Sequence, residues 1–441
     1  MRGMPKSFRA LVGMMCLASA LVPARSVAVE TAGSAFGEEF RLDEAKPGNR
    51  VVTCNHLVPH TSTVAANRGE LVDLFVRERV RSTVSEERTC AGSRDQQSRP
   101  AVLMIHGRSV PVVPGFDLEA DDRNRGHYSW ALELARAGID VFMLDFQGSG
   151  LSPRPRMENP CNVPKTDQMR ALIPYQLSAP CNPEYAFQLV TSQSDWNELD
   201  TVVDFIRDLN HVDKVHLVSW SQGSFRIGPY AVQHPEKVAS LFLYAPIYNP
   251  VFRSGTGPDG FSPPVKLPQP GTPMTLTTKA DLLATWNAET RCEGQLEEGT
   301  QDLVWNAIMA NDPVGRGWGP PPAGTPTDSD SGPEGVMRVR TPFLWGWNAN
   351  IAARLTVPVL IISGEFDLGD GGIQALPELY QTVQSTKKLR FKVQCAGHRM
   401  VWESQRTLLH EMSKAWIKDG EVAGFDRGEF FVDVEGHLFP M

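Results

Sequence analysis

The pentapeptide Ser219-Trp220-Ser221-Gln222-Gly223 stands where a short apolar run, Val215 to Val218, gives way to a helix-forming stretch from Phe225. Small residues two places either side of a serine allow a strand-to-helix turn too tight for larger side chains. Such a turn presents the central hydroxyl at the C-terminal edge of a sheet. The N-terminus of the following helix then favours developing negative charge. This is what nucleophilic chemistry at an acyl carbon needs, although a serine-rich N-cap turn would satisfy the pentapeptide alone. No Cys-x-x-Cys pair or His/Cys cluster has zinc-ligand spacing, so no metal and no cofactor is expected.

The elements around Ser221 read as alternating strands and helices. Ala101 to Ile105 is a short, wholly apolar run of the kind that forms a parallel strand covered on both faces. Ile139 to Leu144, Lys214 to Ser219, Val238 to Tyr244, Val357 to Ser363 and Lys388 to Gln394 follow the same grammar. Val51 to Cys54 and Leu71 to Val80 precede them as two further strands. Helices are predicted over Tyr128 to Ala137, Asp195 to Leu209, Phe225 to Gln233, near Lys279 to Met309, and Glu403 to Lys418. Between residues 248 and 350 the pattern gives way to Pro- and Gly-rich sequence, and Leu151 to Gln193 is a second excursion too long for a simple connection. The prediction is a mostly parallel, doubly wound α/β sheet of about eight strands with a cap inserted after the sixth.

From residue 100 to 418 the chain resembles the α/β-hydrolases that carry such a cap. His106-Gly107 follows the strand 101–105, where those proteins place the oxyanion loop. Asp145-Phe146-Gln147-Gly148-Ser149-Gly150-Leu151-Ser152 is similar to their D-x-R-G-x-G-x-S turn, with Gln147 where arginine is usual. Ser219 to Gly223 matches their nucleophile elbow, with Ser219 in place of the first glycine. Gly364-Glu365-Phe366-Asp367 and Ala396-Gly397-His398 follow the strands after which the family keeps its acid and its histidine. The resemblance implies Ser221 as nucleophile, His398 as base and Asp367 as the acid that orients it, with Glu365 and Asp370 as rivals. It also implies an oxyanion hole built from the backbone N–H groups of Arg108 and Gln222. His106 is expected to organise its loop, and His60 and His410 read as loop or surface positions.

The reaction so implied is cleavage of a carboxylic ester or lactone through an acyl-enzyme. A prolyl-aminopeptidase-like peptidase or amidase is the alternative on the same scaffold, but His106-Gly107-Arg108-Ser109 does not resemble the Gly-rich oxyanion loop of those peptidases. Dehalogenases and epoxide hydrolases replace the serine with aspartate. A non-catalytic binding protein would generally lose one of the three residues kept here. The partner is therefore a small ester-type molecule; a net charge of −8 argues against nucleic acid. Five of the ten tryptophans (Trp286, Trp305, Trp318, Trp345 and Trp347) fall in the cap region, as pocket walls or as the cap's own small core.

The N-terminus reads as a secretory leader. Arg2, Lys6 and Arg9 precede the apolar stretch Ala10 to Val22, which is too short to span a bilayer, and Ser26-Val27-Ala28 offers small residues for cleavage after Ala28. The expected divisions are a signal peptide 1–28, a first core part 29–247 that begins as a loosely held arm, a cap 248–350, and a second core part 351–441 with a C-terminal tail. The mature protein is then secreted or periplasmic and has no membrane-spanning segment. Six cysteines remain in an oxidising compartment. Cys161 with Cys181 is the first expected pair, closing the Pro-rich excursion. Cys54 with Cys90 is the second, and Cys292 with Cys395 pair if the cap folds back near the histidine.

Overall fold

The computed structural model describes residues 41–42, 50–82, 99–119, 127–322, 324, 332–369 and 374–441. The leader 1–28, most of the arm that follows it, Cys90 and Asp370 lie outside the described residues.

Eleven strands form one sheet: β1 (Arg41–Leu42), β2 (Arg50–Thr61), β3 (Leu71–Ser82), β4 (Ala101–Ile105), β5 (Asp140–Leu144), β6 (Val215–Trp220), β7 (Val238–Tyr244), β8 (Val359–Gly364), β9 (Lys388–Val393), β10 (Arg427–Val432) and β11 (Leu438–Pro440). Their spatial order is β1-β2-β3-β5-β4-β6-β7-β8-β9-β10-β11. The seven strands from β5 to β10 pair in parallel, and antiparallel strands flank them on both sides. The expected eight strands are all present. The three additional ones are the two-residue β1 and the pair β10–β11, which occupies the segment expected to be a tail. Gly428 and the flanking charges of β10 hide its apolar face, Phe430 and Val432, from a reading by periodicity.

The wholly apolar character of β4 has a direct structural cause. Ala101, Leu103 and Ile105 join the apolar cluster on one face of the sheet, while Val102 and Met104 join the cluster on the other. On the first face lie α2 (Ser192–Asn210) and α3 (Ser224–Gln233); on the second lie α1 (Trp130–Arg136) and α6 (Arg406–Asp419). The predicted helix near Lys279 to Met309 is in fact two, α4 (Lys279–Glu289) and α5 (Thr300–Ala310), interrupted by a turn with Gly294 and Gly299 at positive φ.

Both excursions from the sheet pack into one cluster. Met157, Val163, Leu172 and Leu189 from the first bury against Met274, Leu276, Trp318 and Val336 from the second. The first excursion is thus held by apolar burial as well as by the disulfide Cys161–Cys181. The tryptophans of the second do not form a separate core, and none lines the cavity at Ser221. Trp286 and Trp305 extend the apolar cluster on one face of the sheet, Trp345 and Trp347 extend the other, and only Trp318 stays with the excursions. A second disulfide joins Cys292 to Cys395. Cys54 is also disulfide-bonded.

A buried ionic cluster joins the second excursion to the core. Asp195 of α2 accepts from Arg226 Nε of α3 (2.8 Å) and from Arg340 Nη1 and Nη2 (2.9 and 2.7 Å), and all three side chains are about 1% exposed. Burial and the neighbouring Arg340 pull the Arg226 guanidinium down to about 10 despite Asp195. Both guanidiniums stack on Phe146, at 4.9 and 5.2 Å. Beside them Gln147 donates to Glu198 Oε1 (2.8 Å) and accepts from Ser62 Oγ (3.1 Å) and Asn67 Nδ2 (2.9 Å). The arginine usual at this position could not accept these two hydrogen bonds. Burial, reinforced by Asp195, pushes Glu198 up to about 7.

Two stability predictions follow from this packing. Asp195→Ala strands two buried cations and is expected to destabilise by about 3–5 kcal/mol, read as a fall in Tm on the order of 10 °C; an unchanged Tm would mean the cluster is dispensable. The double variant Cys161→Ser/Cys181→Ser should lose less, roughly 3 kcal/mol, because the buried apolar residues of the excursion remain. Denaturant unfolding of both variants checks the ranking.

Candidate active site

The end of β6 turns into α3 through Ser221, whose φ of +56° is unusual for a residue with a side chain. The turn passes over the end of β4. A Cβ on Gly223 would lie 2.9 Å from Ser219 Cβ and 3.1 Å from the carbonyl oxygens of Ile105 and His106. Ser219 thus takes the last of the space, and its buried hydroxyl has no hydrogen-bond partner among the described residues. The turn is fastened from behind: the Ser221 carbonyl accepts from Ser224 Oγ (3.0 Å) and from the Ile247 N–H (3.2 Å).

The loop after β4 lies against the turn. A Cβ on Gly107 would be 3.1 Å from Ser221 Cβ and 3.7 Å from its Oγ. Arg226, one turn into α3, donates through Nη1 to the carbonyls of His106 (2.7 Å) and Gly107 (3.2 Å). In a trans peptide the C=O and the next N–H point in opposite directions. Holding the Gly107 carbonyl toward Arg226 therefore turns the Arg108 N–H away from the buried cation; Arg108 and Ser221 line the same cavity. The N–H groups of Arg108 and Gln222 donate to no protein atom among the described residues. The Arg108 side chain is exposed. His106 ties its own loop to the one after β5, its Nδ1 bonded to the Gly107 carbonyl (2.7 Å) and its Nε2 accepting the Phe146 N–H (3.4 Å), and burial with the nearby arginines holds its pKa well below the usual range.

His398 and Asp367 come together from the loops after β9 and β8. His398 Nδ1 is 2.7 Å from Asp367 Oδ1, which also accepts the Gly369 N–H (2.9 Å). Of the rival acids, Glu365 instead accepts the Cys395 N–H (3.2 Å). The His398 carbonyl takes two donors from the strand ends, Trp220 Nε1 (3.0 Å) and Tyr244 Oη (2.8 Å), so the histidine loop is docked on β6 and β7. Burial opposes a charge on His398, but the carboxylate and hydrogen bond of Asp367 outweigh it and raise the imidazole above 6.5. His398 and Ser221 line one cavity of about 430 Å³, walled also by Val110, Ile247, Leu282 and Met337. That volume suits a small organic molecule.

Several supporting residues escaped the sequence reading. Arg226, Tyr244 and Glu403 carry no motif. Glu289 of α4 bonds to both loops that hold His398 and Asp367, and only its spacing from Cys292 hinted at this. His60 and His410 were expected in loops or at the surface; both are buried, His60 on β2 beside Thr201 and His410 in α6 stacked on Trp130. Two groups of metal-capable side chains occur among the described residues: Cys54, His56 and Glu78, and Asp433, Glu435 and His437. Cys54 is committed to a disulfide, and neither group lines the cavity.

Residues 100–405 match the alpha/beta hydrolase fold family. None of the curated proteins matches the chain. Among solved structures it is similar to a serine hydrolase from the polyaromatic hydrocarbon-degrading bacterium Cycloclasticus zankles, at 12% identity over 87% of this chain and 100% of that one, with a TM-score of 0.42. A carboxylesterase from Bacillus subtilis has 12% identity over 88% and 94% of the two chains and a TM-score of 0.42. A thermophilic esterase from Thermogutta terrifontis has 13% identity over 82% and 98%, again with a TM-score of 0.42. With that family matched across well over half of its length, the chain belongs to the α/β-hydrolase family.

Proposed function

We propose that the protein is an exported serine hydrolase that cleaves a small carboxylic ester or lactone through an acyl-enzyme. The observation that carries the reading is the 2.7 Å contact between His398 Nδ1 and Asp367 Oδ1 in a cavity that Ser221 also lines. Ser221 Oγ attacks the substrate carbonyl as His398 Nε2 takes its proton. The oxyanion is held by the N–H groups of Arg108 and Gln222. The imidazolium, stabilised by Asp367, returns the proton to the leaving alkoxide as the C–O bond breaks. Water, deprotonated by the same imidazole, then attacks the acyl carbon; the bond to Ser221 Oγ breaks, Oγ takes the proton back from the imidazolium, and the acid leaves. Residues 248–350 form the cap over this site and give the cavity a mixed wall, Leu282, Ala288 and Met337 beside the carboxylates Asp281 and Glu289, which disfavours an anionic acyl or alcohol portion.

Export is supported by the N-terminal charge and apolar pattern and by the disulfides, which persist in oxidising compartments. N-terminal sequencing of the processed protein should begin at Val29.

Ser221→Ala is expected to lower kcat on aryl esters by about 10^4- to 10^6-fold with the fold intact, since the change removes only the hydroxyl oxygen and keeps the Cβ. Turnover above a tenth of wild type would remove Ser221 from the nucleophile role. A parallel assay with aminoacyl arylamides distinguishes an esterase, which leaves them intact, from a peptidase.

His398 must be neutral to act as base, so activity is low while it is protonated and rises with pH. Because its pKa is raised, the midpoint of that limb should lie above 6.5, the ordinary histidine value, with a plateau beyond. Asp367→Asn should lower kcat by roughly 10^2- to 10^4-fold and move the midpoint down, since it removes the charge that favours the imidazolium. A kcat/KM profile with its midpoint unmoved in Asp367→Asn would contradict the pairing.

A further inference from the structure

The cavity wall opposite the sheet is built partly by α4, and this helix reaches the two loops that hold His398 and Asp367 through a single carboxylate. Glu289, 3% exposed, accepts the His398 N–H through Oε2 (3.0 Å) and the Leu368 N–H through Oε1 (2.9 Å). Arg399 Nη1 lies 3.3 Å from the same Oε2. The contact is reinforced on both sides. The Cys292–Cys395 disulfide ties the chain just beyond α4 to the residue three before His398. Glu403 accepts from the Gly397 N–H (2.7 Å), Gln295 Nε2 (3.0 Å) and Trp286 Nε1 (3.1 Å).

We propose that Glu289, supplied by the segment between β7 and β8, is a positioning residue for the His398–Asp367 pair: it locks the two loops in register and lends negative charge to the imidazolium that forms when Ser221 loses its proton. The inference rests on the serine-hydrolase reading above. Both oxygens of Glu289 are spent on backbone N–H groups of the two loops, so neither loop can shift without breaking a buried bond to a charged acceptor. The groups facing the imidazole and its loop are Asp367 and Glu365 on the β8 loop, Arg399 beside it in the chain, Glu289 from α4, and Glu403 and Tyr244 behind. Burial and Arg399 oppose charge on His398; Asp367 and Glu289 favour it. Without Glu289 one of the charges that favour the imidazolium is lost, and the midpoint of the pH limb moves down.

The test compares kcat, KM and the pH–rate profile of Glu289→Gln and Glu289→Asp with wild type, using p-nitrophenyl butyrate, alongside thermal unfolding. Glu289→Gln keeps the size but loses the charge and one acceptor. It should lower plateau kcat by about 10- to 100-fold with KM within about threefold, and shift the acidic midpoint down. Glu289→Asp keeps the charge but is too short to bridge both loops. Its midpoint should stay near wild type while kcat remains reduced. Wild-type kcat and midpoint in Glu289→Gln would overturn the proposal. So would a loss of activity that follows unfolding alone, with the midpoint unmoved in the folded fraction, because that is what a merely structural brace predicts. A wild-type protein that turns over neither esters nor lactones and takes no fluorophosphonate adduct on Ser221 overturns the serine-hydrolase reading itself, and the positioning role falls with it.

Discussion

The close approach of the β6–α3 turn to the end of β4 is the constraint on which the rest of the site depends. β6 and β4 are neighbouring parallel strands, so the turn leaving one must pass over the carbonyl groups ending the other. A side chain at position 223 would collide with Ser219 and with the carbonyls of Ile105 and His106, and one at position 107 would press on Ser221. Keeping both positions as glycine lets the chain hold Ser221 at positive φ beside the loop that follows β4. The residues that stabilise this crowded junction then have little freedom. Arg226 must lie one turn along α3 to reach the carbonyls of that loop, and Asp195 must lie on the adjacent helix to balance its charge.

The segment between β7 and β8 is wired into this junction at two points. Arg340 enters the Asp195 cluster under the loop after β4, and Glu289 reaches the loops after β8 and β9. Its tryptophans follow the same logic, extending the apolar clusters on the two faces of the sheet. An inserted segment anchored in this way is a fixed wall of the cavity along α4. The first excursion, closed by Cys161–Cys181, packs against the far side of the same segment.

Much of this was legible in the sequence, because it rests on local pattern. Parallel strands buried on both faces must be largely apolar, so β4 to β8 announce themselves, while β9 is read from the alternation of Leu389, Phe391 and Val393 with charged residues. The tight turn at Ser221 demands small neighbours that can be read directly. What escaped depends on contacts between distant segments. Residues 427–440 add strands at the sheet edge, where a half-exposed strand needs little apolar pattern. Buried Arg226 and Arg340 look like any surface arginine until Asp195 is known to face them. Glu289 was within reach: it lies one helical turn before Cys292, as His398 lies three residues after Cys395. Once those cysteines are paired, the carboxylate must fall beside the histidine loop. The sequence alone left that pairing as a third choice among the disulfides.

The central claim is that the tight turn after β6 presents an activated serine. Its most direct test is to treat the protein with a fluorophosphonate, digest it, and locate the adduct by mass spectrometry. The account predicts a single stoichiometric adduct on Ser221, formed faster as pH rises through the His398 limb. No adduct, or one on Ser219 or Ser224 with Ser221 unmodified, would contradict it.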